Sequence, residues 1–211
     1  MPRPRFKNAA PELRDAILDV AARELAEKGY EGASLNQIIV AAGLSKGAFY
    51  YYFDDKTDLV ATVFERETQP WLTMISELRM PDSAEDFWAE LDRMTTLGLN
   101  LMYKDATKSN LMGRMATAMG RHPELLARLG PTMHEASSRL VAVFRRGQSV
   151  GAVRDDLSAE LLVAVIQGEK QALSNSLLPA DRAPTREEWD EFVRIHVDLT
   201  RRILMPSPPR G

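Results

Sequence analysis

Residues 34–56, SLNQIIVAAGLSKGAFYYYFDDK, constrain the fold of this chain more than any other stretch. Ser34 stands where a helix N-cap belongs. Leu35, Ile38 and Ala42 then recur at helical spacing until Gly43, a residue free to take the left-handed conformation that ends helices. Ser45 caps a second helix almost at once. Helix, tight glycine turn, helix is the layout in which the second helix can enter a DNA major groove.

At ~100° per residue the second helix divides into faces. Phe49 and Phe53 lie one turn apart and point inward, with Leu44 able to join them. Gly47, Ala48 and Tyr51 fall on the opposite side, flanked by Lys46, Tyr50 and Tyr52. A small start lets the backbone approach a groove floor. Tyr51 offers a ring for thymine methyls and a hydroxyl for base edges. Lys46 and the flanking hydroxyls suit phosphates. The same tyrosine face, read without DNA, fits a helical protein-interaction module.

Ser34-Leu35-x-x-Ile38 followed by Ala42-Gly43-Leu44-Ser45-Lys46-Gly47-Ala48-Phe49-Tyr50-Tyr51-Tyr52-Phe53-x-x-Lys56-x-x-Leu59 resembles the DNA-binding signature of the tetracycline-repressor (TetR) family of bacterial regulators. The resemblance covers about a quarter of the chain. It implies that Ser34, Tyr50, Tyr52 and Lys56 hold the DNA backbone. Lys46, Gly47, Ala48 and Tyr51 would read bases, and Asn36 would add a contact from the preceding helix, with Ser45 at the cap between them. Tyr52 replaces a common histidine, and Ile39 occupies a position that is usually small.

The net charge of −3 over 211 residues excludes a protein that coats nucleic acid through basic excess. The first 56 residues carry eight basic and eight acidic side chains, so charge position has to matter more than charge total. Arg3, Arg5 and Lys7 precede the first helix as a basic arm, expected to be mobile and able to reach phosphates or a minor groove. Absence of cysteine removes disulfides, thiolate catalysis and cysteine zinc sites. No apolar run has the length of a signal peptide core or a membrane span, so a cytoplasmic protein without membrane contact is expected.

Helical periodicity continues through the rest. A bracing helix follows Pro11 with Leu13, Ile17, Val20, Ala21 and Leu25 as its stripe, closed by Gly29. A connector starts at Asp54–Asp58, and Pro70 is expected to kink or end it. Further helices are expected over about 84–103, 106–120, 157–178 and 186–204, with the segment between 123 and 148 interrupted at Gly130-Pro131. A proline-rich, disordered end is expected to close the chain. Neither strands nor internal repeats are legible. The expected architecture is therefore all-α: a DNA-binding domain over 1–56 and a helical ligand-binding and dimerisation domain over 57–211.

Chemistry is sparse. His122, His134 and His196 stand in no metal-binding spacing, there is no glycine-rich phosphate loop, and Asp54-Asp55 and Asp155-Asp156 sit where helix caps belong. No catalytic, metal or cofactor site is expected, nor an enzyme. Ala164, Gly168 and Ala172 form a small-residue stripe beside Leu161 and Val165. With Phe192, His196 and Thr200 of the last helix, they are expected to form a homodimer interface. Met74, Trp88, Leu91, Met94, Met115, Met119 and Phe144 are candidates for an apolar effector pocket, with Gln167 as a polar anchor. The family resemblance implies a regulator, most often a repressor, that binds a palindromic double-stranded operator as a dimer and is released when a small molecule shifts the connector helix.

Overall fold

The computed structural model describes residues 4–103, 106–179 and 184–206. Among the described residues the chain forms ten helices and no strand. They are α1 (Pro4–Lys7), α2 (Pro11–Gly32), α3 (Leu35–Ala41), α4 (Lys46–Tyr52), α5 (Lys56–Ser76), α6 (Ala84–Tyr103), α7 (Ala106–Arg121), α8 (Pro123–Ser149), α9 (Ala159–Leu177) and α10 (Arg186–Leu204).

The helices gather into two compact units, one of residues 1–69 and 102–131, the other of 70–101 and 132–211. In the first, α2 packs along α7 and against α3, and α1 packs against α4. Its core takes Ile17, Ala21 and Leu25 from α2, Ile38 and Ile39 from α3, and Phe49 from α4. Phe53, Leu59, Val60 and Val63 from the start of α5, with Leu111 and Met115 from α7, complete it. Ile39, larger than the family norm, is simply taken into this core. In the second unit, Ile75, Leu78, Phe87, Leu91, Val143, Phe144, Leu162, Val163 and Leu204 form the buried cluster.

The regular run of α2 breaks at Gly29, as expected, where the backbone leaves helical geometry at φ 70°, and a short further turn carries it to Gly32. Two local expectations are corrected. Pro70 and Pro131 terminate nothing: α5 runs on to Ser76 and α8 is continuous through Pro131. Each proline is exposed, so the carbonyl robbed of its helical partner can turn to water. Both sit at the unit boundaries. The N-terminal arm is helical where described, with Phe6 buried; Arg3 and the proline-rich end beyond Pro206 lie outside the described residues.

Gly147 shows how tightly the second unit is closed. A Cβ there would sit 2.7 Å from Phe87 Cδ2 and Cε2 and from Val153 Cγ2. Its carbonyl accepts the Ala152 N–H at 2.9 Å, and the Gly151 N–H donates to the Gln148 carbonyl at 3.1 Å. This paired pattern ends α8 in a left-handed turn at Gly151, φ 74°.

Candidate nucleic-acid interface

Ser34 caps α3: its hydroxyl accepts the Gln37 N–H at 3.4 Å, while its own N–H donates to Glu24 Oε1 at 3.0 Å. The Lys28 ammonium bonded to Glu24, then the Ser34 N–H, hold that carboxyl below the usual range. α3 closes on Gly43 at φ 67°, where the Leu44 N–H reaches back to the Ile39 carbonyl at 2.9 Å and the Gly43 N–H to Val40 at 3.0 Å. Only glycine adopts that φ without cost, which fixes the turn between the helices. Ser45 then caps α4, accepting the Ala48 N–H at 3.0 Å.

α4 is oriented by its aromatic inner face. Phe49 and Phe53 are fully buried and stack at 5.4 Å between centroids. Lys46, Gly47, Tyr50 and Tyr51 are therefore turned to solvent, Ala48 and Tyr52 are half-buried, and Asn36 is exposed on α3. Tyr50 is 50% and Tyr51 48% exposed, large apolar areas to leave in solvent. Tyr51 meets the Tyr52 ring edge to face at 5.2 Å.

Lys56 behaves differently from the other residues assigned to DNA. Its ammonium donates to the Ala33 carbonyl at 2.7 Å and the Glu31 carbonyl at 3.4 Å, and lies 5.2 Å from the Tyr30 ring centre. Burial lowers its pKa. Two of three donors are thus spent tying α5 to the end of α2, leaving at most one for a phosphate.

Sequence reasoning missed the polar seam behind this face. His122 places Nε2 2.8 Å from Glu31 Oε1 and Nδ1 3.3 Å from Glu124 Oε1, with its ring against Tyr30. Bonding to Glu31, then Glu124, raises its pKa. Tyr30 Oη is 2.9 Å from Thr57 Oγ1. Arg128 donates to the fully buried Asp58 at 2.7 Å, and Asp55 caps α5 by accepting the Asp58 N–H at 2.7 Å. A sequence signal existed only for the cap; the partners of Asp58 and Glu31 lie 70 and 91 residues away.

The other two residue groups divide. Met74, Leu91 and Phe144 are buried in the second unit's core, with Trp88 and Met94 packed against it. Met115 and Met119 belong to the first unit, Met115 buried in its core, and Gln167 is exposed. On α9, Leu161, Ala164, Val165, Gly168 and Ala172 are exposed, and a Cβ at Gly168 would meet nothing within 4 Å. Phe192, His196 and Thr200 lie instead on the inner side of α10, buried within the chain by its packing on α9. Period alone marked them as apolar-facing without saying which apolar face. His196 Nδ1 is 2.7 Å from Glu169 Oε2, and burial pushes Glu169 up to about 7 and His196 down to about 4.

Among the described residues no cluster of three metal-ligating side chains occurs, and no helix is long and apolar enough to cross a membrane. A capped helix pair with a glycine turn and an outward aromatic face, joined to a larger helical unit, defines a helix-turn-helix DNA-binding regulator. Residues 17–63 match the family model described as bacterial regulatory proteins of the tetR family. Over these residues the chain is similar to that family's DNA-binding part.

It is 44% identical over 61 residues to the HTH-type transcriptional regulator AcrR of Shigella flexneri, a match covering 29% of this chain and 28% of AcrR. Over 175 residues it is 25% identical to the HTH-type transcriptional repressor BepR of Brucella suis, 78% of this chain and 81% of BepR. Its fold is that of SmeT, the repressor of the Stenotrophomonas maltophilia multidrug efflux pump SmeDEF. The TM-score is 0.71 at 17% identity, covering 94% of this chain and 92% of SmeT.

Proposed function

We propose that this chain is a cytoplasmic transcriptional repressor that binds a near-palindromic operator as a homodimer and leaves it when a small apolar or amphipathic molecule binds. The observation that carries the reading is the face of α4 with Lys46, Gly47 and Tyr51 exposed and Ala48 half-buried, held outward by the buried Phe49 and Phe53. Residues 1–56 act as the reader and residues 57–211 as the ligand-binding and dimerisation part. Gly47 and Ala48 admit the backbone to the groove floor, Tyr51 and Lys46 contact base edges, and Ser34, Tyr50 and Tyr52 contact phosphates, with Asn36 adding a contact from α3. Lys56 contributes mainly by bracing α5. The exposed α9 stripe supports pairing of two copies.

Being named repressors, BepR and SmeT support the sign of regulation. For the effector, the support is the group Met74, Trp88, Leu91, Met94 and Phe144 in the second unit, where thioethers and rings adapt to apolar guests. Footprinting on the DNA that flanks the coding region tests the operator. Thermal-shift screening with hydrophobic compounds then tests the effector: a true one raises Tm and lowers operator affinity together. Protection of no site, or compounds that raise Tm without releasing DNA, would overturn the respective half.

A further inference from the structure

Arg5 lies with Cζ 4.5 Å from the Tyr51 ring centre. Its neighbour Phe6 is 3% exposed and inserts its ring 4.6 Å from Phe53 and 5.8 Å from Tyr52. α1 is itself held to α2, because Arg14 donates to the Lys7 carbonyl at 3.1 Å. The basic arm is therefore pinned beside the reading helix, with one cation delivered to one ring.

We propose that Arg5 is a positioning residue of the DNA-reading face, fixing the Tyr51 ring before DNA arrives. The inference rests on the reading of α4 proposed above. Tyr51 is 48% exposed and has the edge of Tyr52 on one side; without Arg5 its ring has rotamers to lose on entering a groove. A guanidinium on the ring face is planar, always charged and weakly hydrated, so it stacks where an ammonium would stay in water. Arg5 thus acts on sequence choice through Tyr51, whereas a free arm would add only sequence-independent attraction.

The magnitude expected of an exposed cation–ring contact corresponds to roughly a 2- to 5-fold loss per half-site. The test uses the full chain and a duplex selected by the wild-type protein from a randomised pool, with a scrambled duplex for comparison. Arg5→Lys keeps the charge, so the salt slope should hold while preference for the selected duplex falls by that factor. In a Tyr51→Ala background Arg5→Lys should have no further effect. In the free protein, Arg5→Lys should move the Tyr51 ring NMR signals, assigned by Tyr51→Phe, with Tm unchanged.

An Arg5→Lys loss that persists in the Tyr51→Ala background, or unmoved ring signals, would overturn the proposal. If the ring signals respond but Tyr51→Ala leaves selectivity intact, the reading of α4 itself fails, and the positioning role with it.

Discussion

Gly147→Ala adds one methyl group to a site with no room for it. The new Cβ would lie 2.7 Å from two Phe87 ring atoms and from Val153 Cγ2. Neither neighbour can yield easily. Phe87 is 1% exposed and set edge-on to Trp88 at 5.2 Å and Phe144 at 6.1 Å, and Val153 is 2% exposed and β-branched. Overpacking of this kind costs about 1–3 kcal/mol. Replacing a helical glycine by alanine returns up to about 1 kcal/mol of helix propensity, even in the last turn where Gly147 lies.

The net expectation is a loss of up to ~2 kcal/mol, or a Tm lower by up to about 8 °C for a chain of this size. Gly113→Ala is the control: on α7 its Cβ would meet nothing within 4 Å, so only the propensity gain remains and Tm should rise by about 2–4 °C. Calorimetry or thermal circular dichroism on both variants decides. If the two substitutions stabilised alike, the close approach of α8, Phe87 and Val153 would be wrong.

Glu169→Gln keeps the hydrogen bond to His196 and removes a titration. Burial raises Glu169 to about 7 from 4.5, so its contribution is full below 4.5 and lost as pH rises through about 7; the variant should gain more Tm over wild type at pH 8.5 than at pH 5.5. An equal difference at both pH values would contradict a buried, protonated Glu169. His122, raised above 6.5 by Glu31 and Glu124, contributes stability that is full below 6.5 and fades as pH rises through its folded value; His122→Asn should therefore cost more Tm at pH 6 than at pH 9. A pH-independent cost would mean that the Glu31 contact is not formed. Gly168→Leu, open to solvent in one chain, should leave the fold intact yet weaken self-association, seen by sedimentation at nanomolar protein; an unchanged dimer would place the interface off the α9 stripe.

The reading helix was legible because everything that orients it is local. Ser34, Gly43, Ser45, Phe49 and Phe53 fall within twenty residues, and caps, turn and inner face follow from spacing alone. Legibility failed wherever a long-range partner decides. Nothing in the sequence around Lys56 announces the carbonyls of Glu31 and Ala33, and nothing near His122 announces Glu31. Phe192 and His196 carried the right apolar period, but whether α10 buries that face against α9 or against another copy is a tertiary choice. The prolines misled because propensity marks where a helix bond is lost, whereas packing on either side decides whether the helix stops.

The central claim is that the Tyr51 face of α4 reads DNA sequence. Fluorescence anisotropy against the footprinted duplex and a scrambled one, titrated with salt, measures it directly on wild type and Tyr51→Ala. Wild type should prefer the footprinted duplex, and Tyr51→Ala should lose about 1–3 kcal/mol per half-site on that duplex alone, with binding to the scrambled duplex and its salt slope nearly unchanged. Equal losses on both duplexes, or no preference in the wild type, would contradict the account.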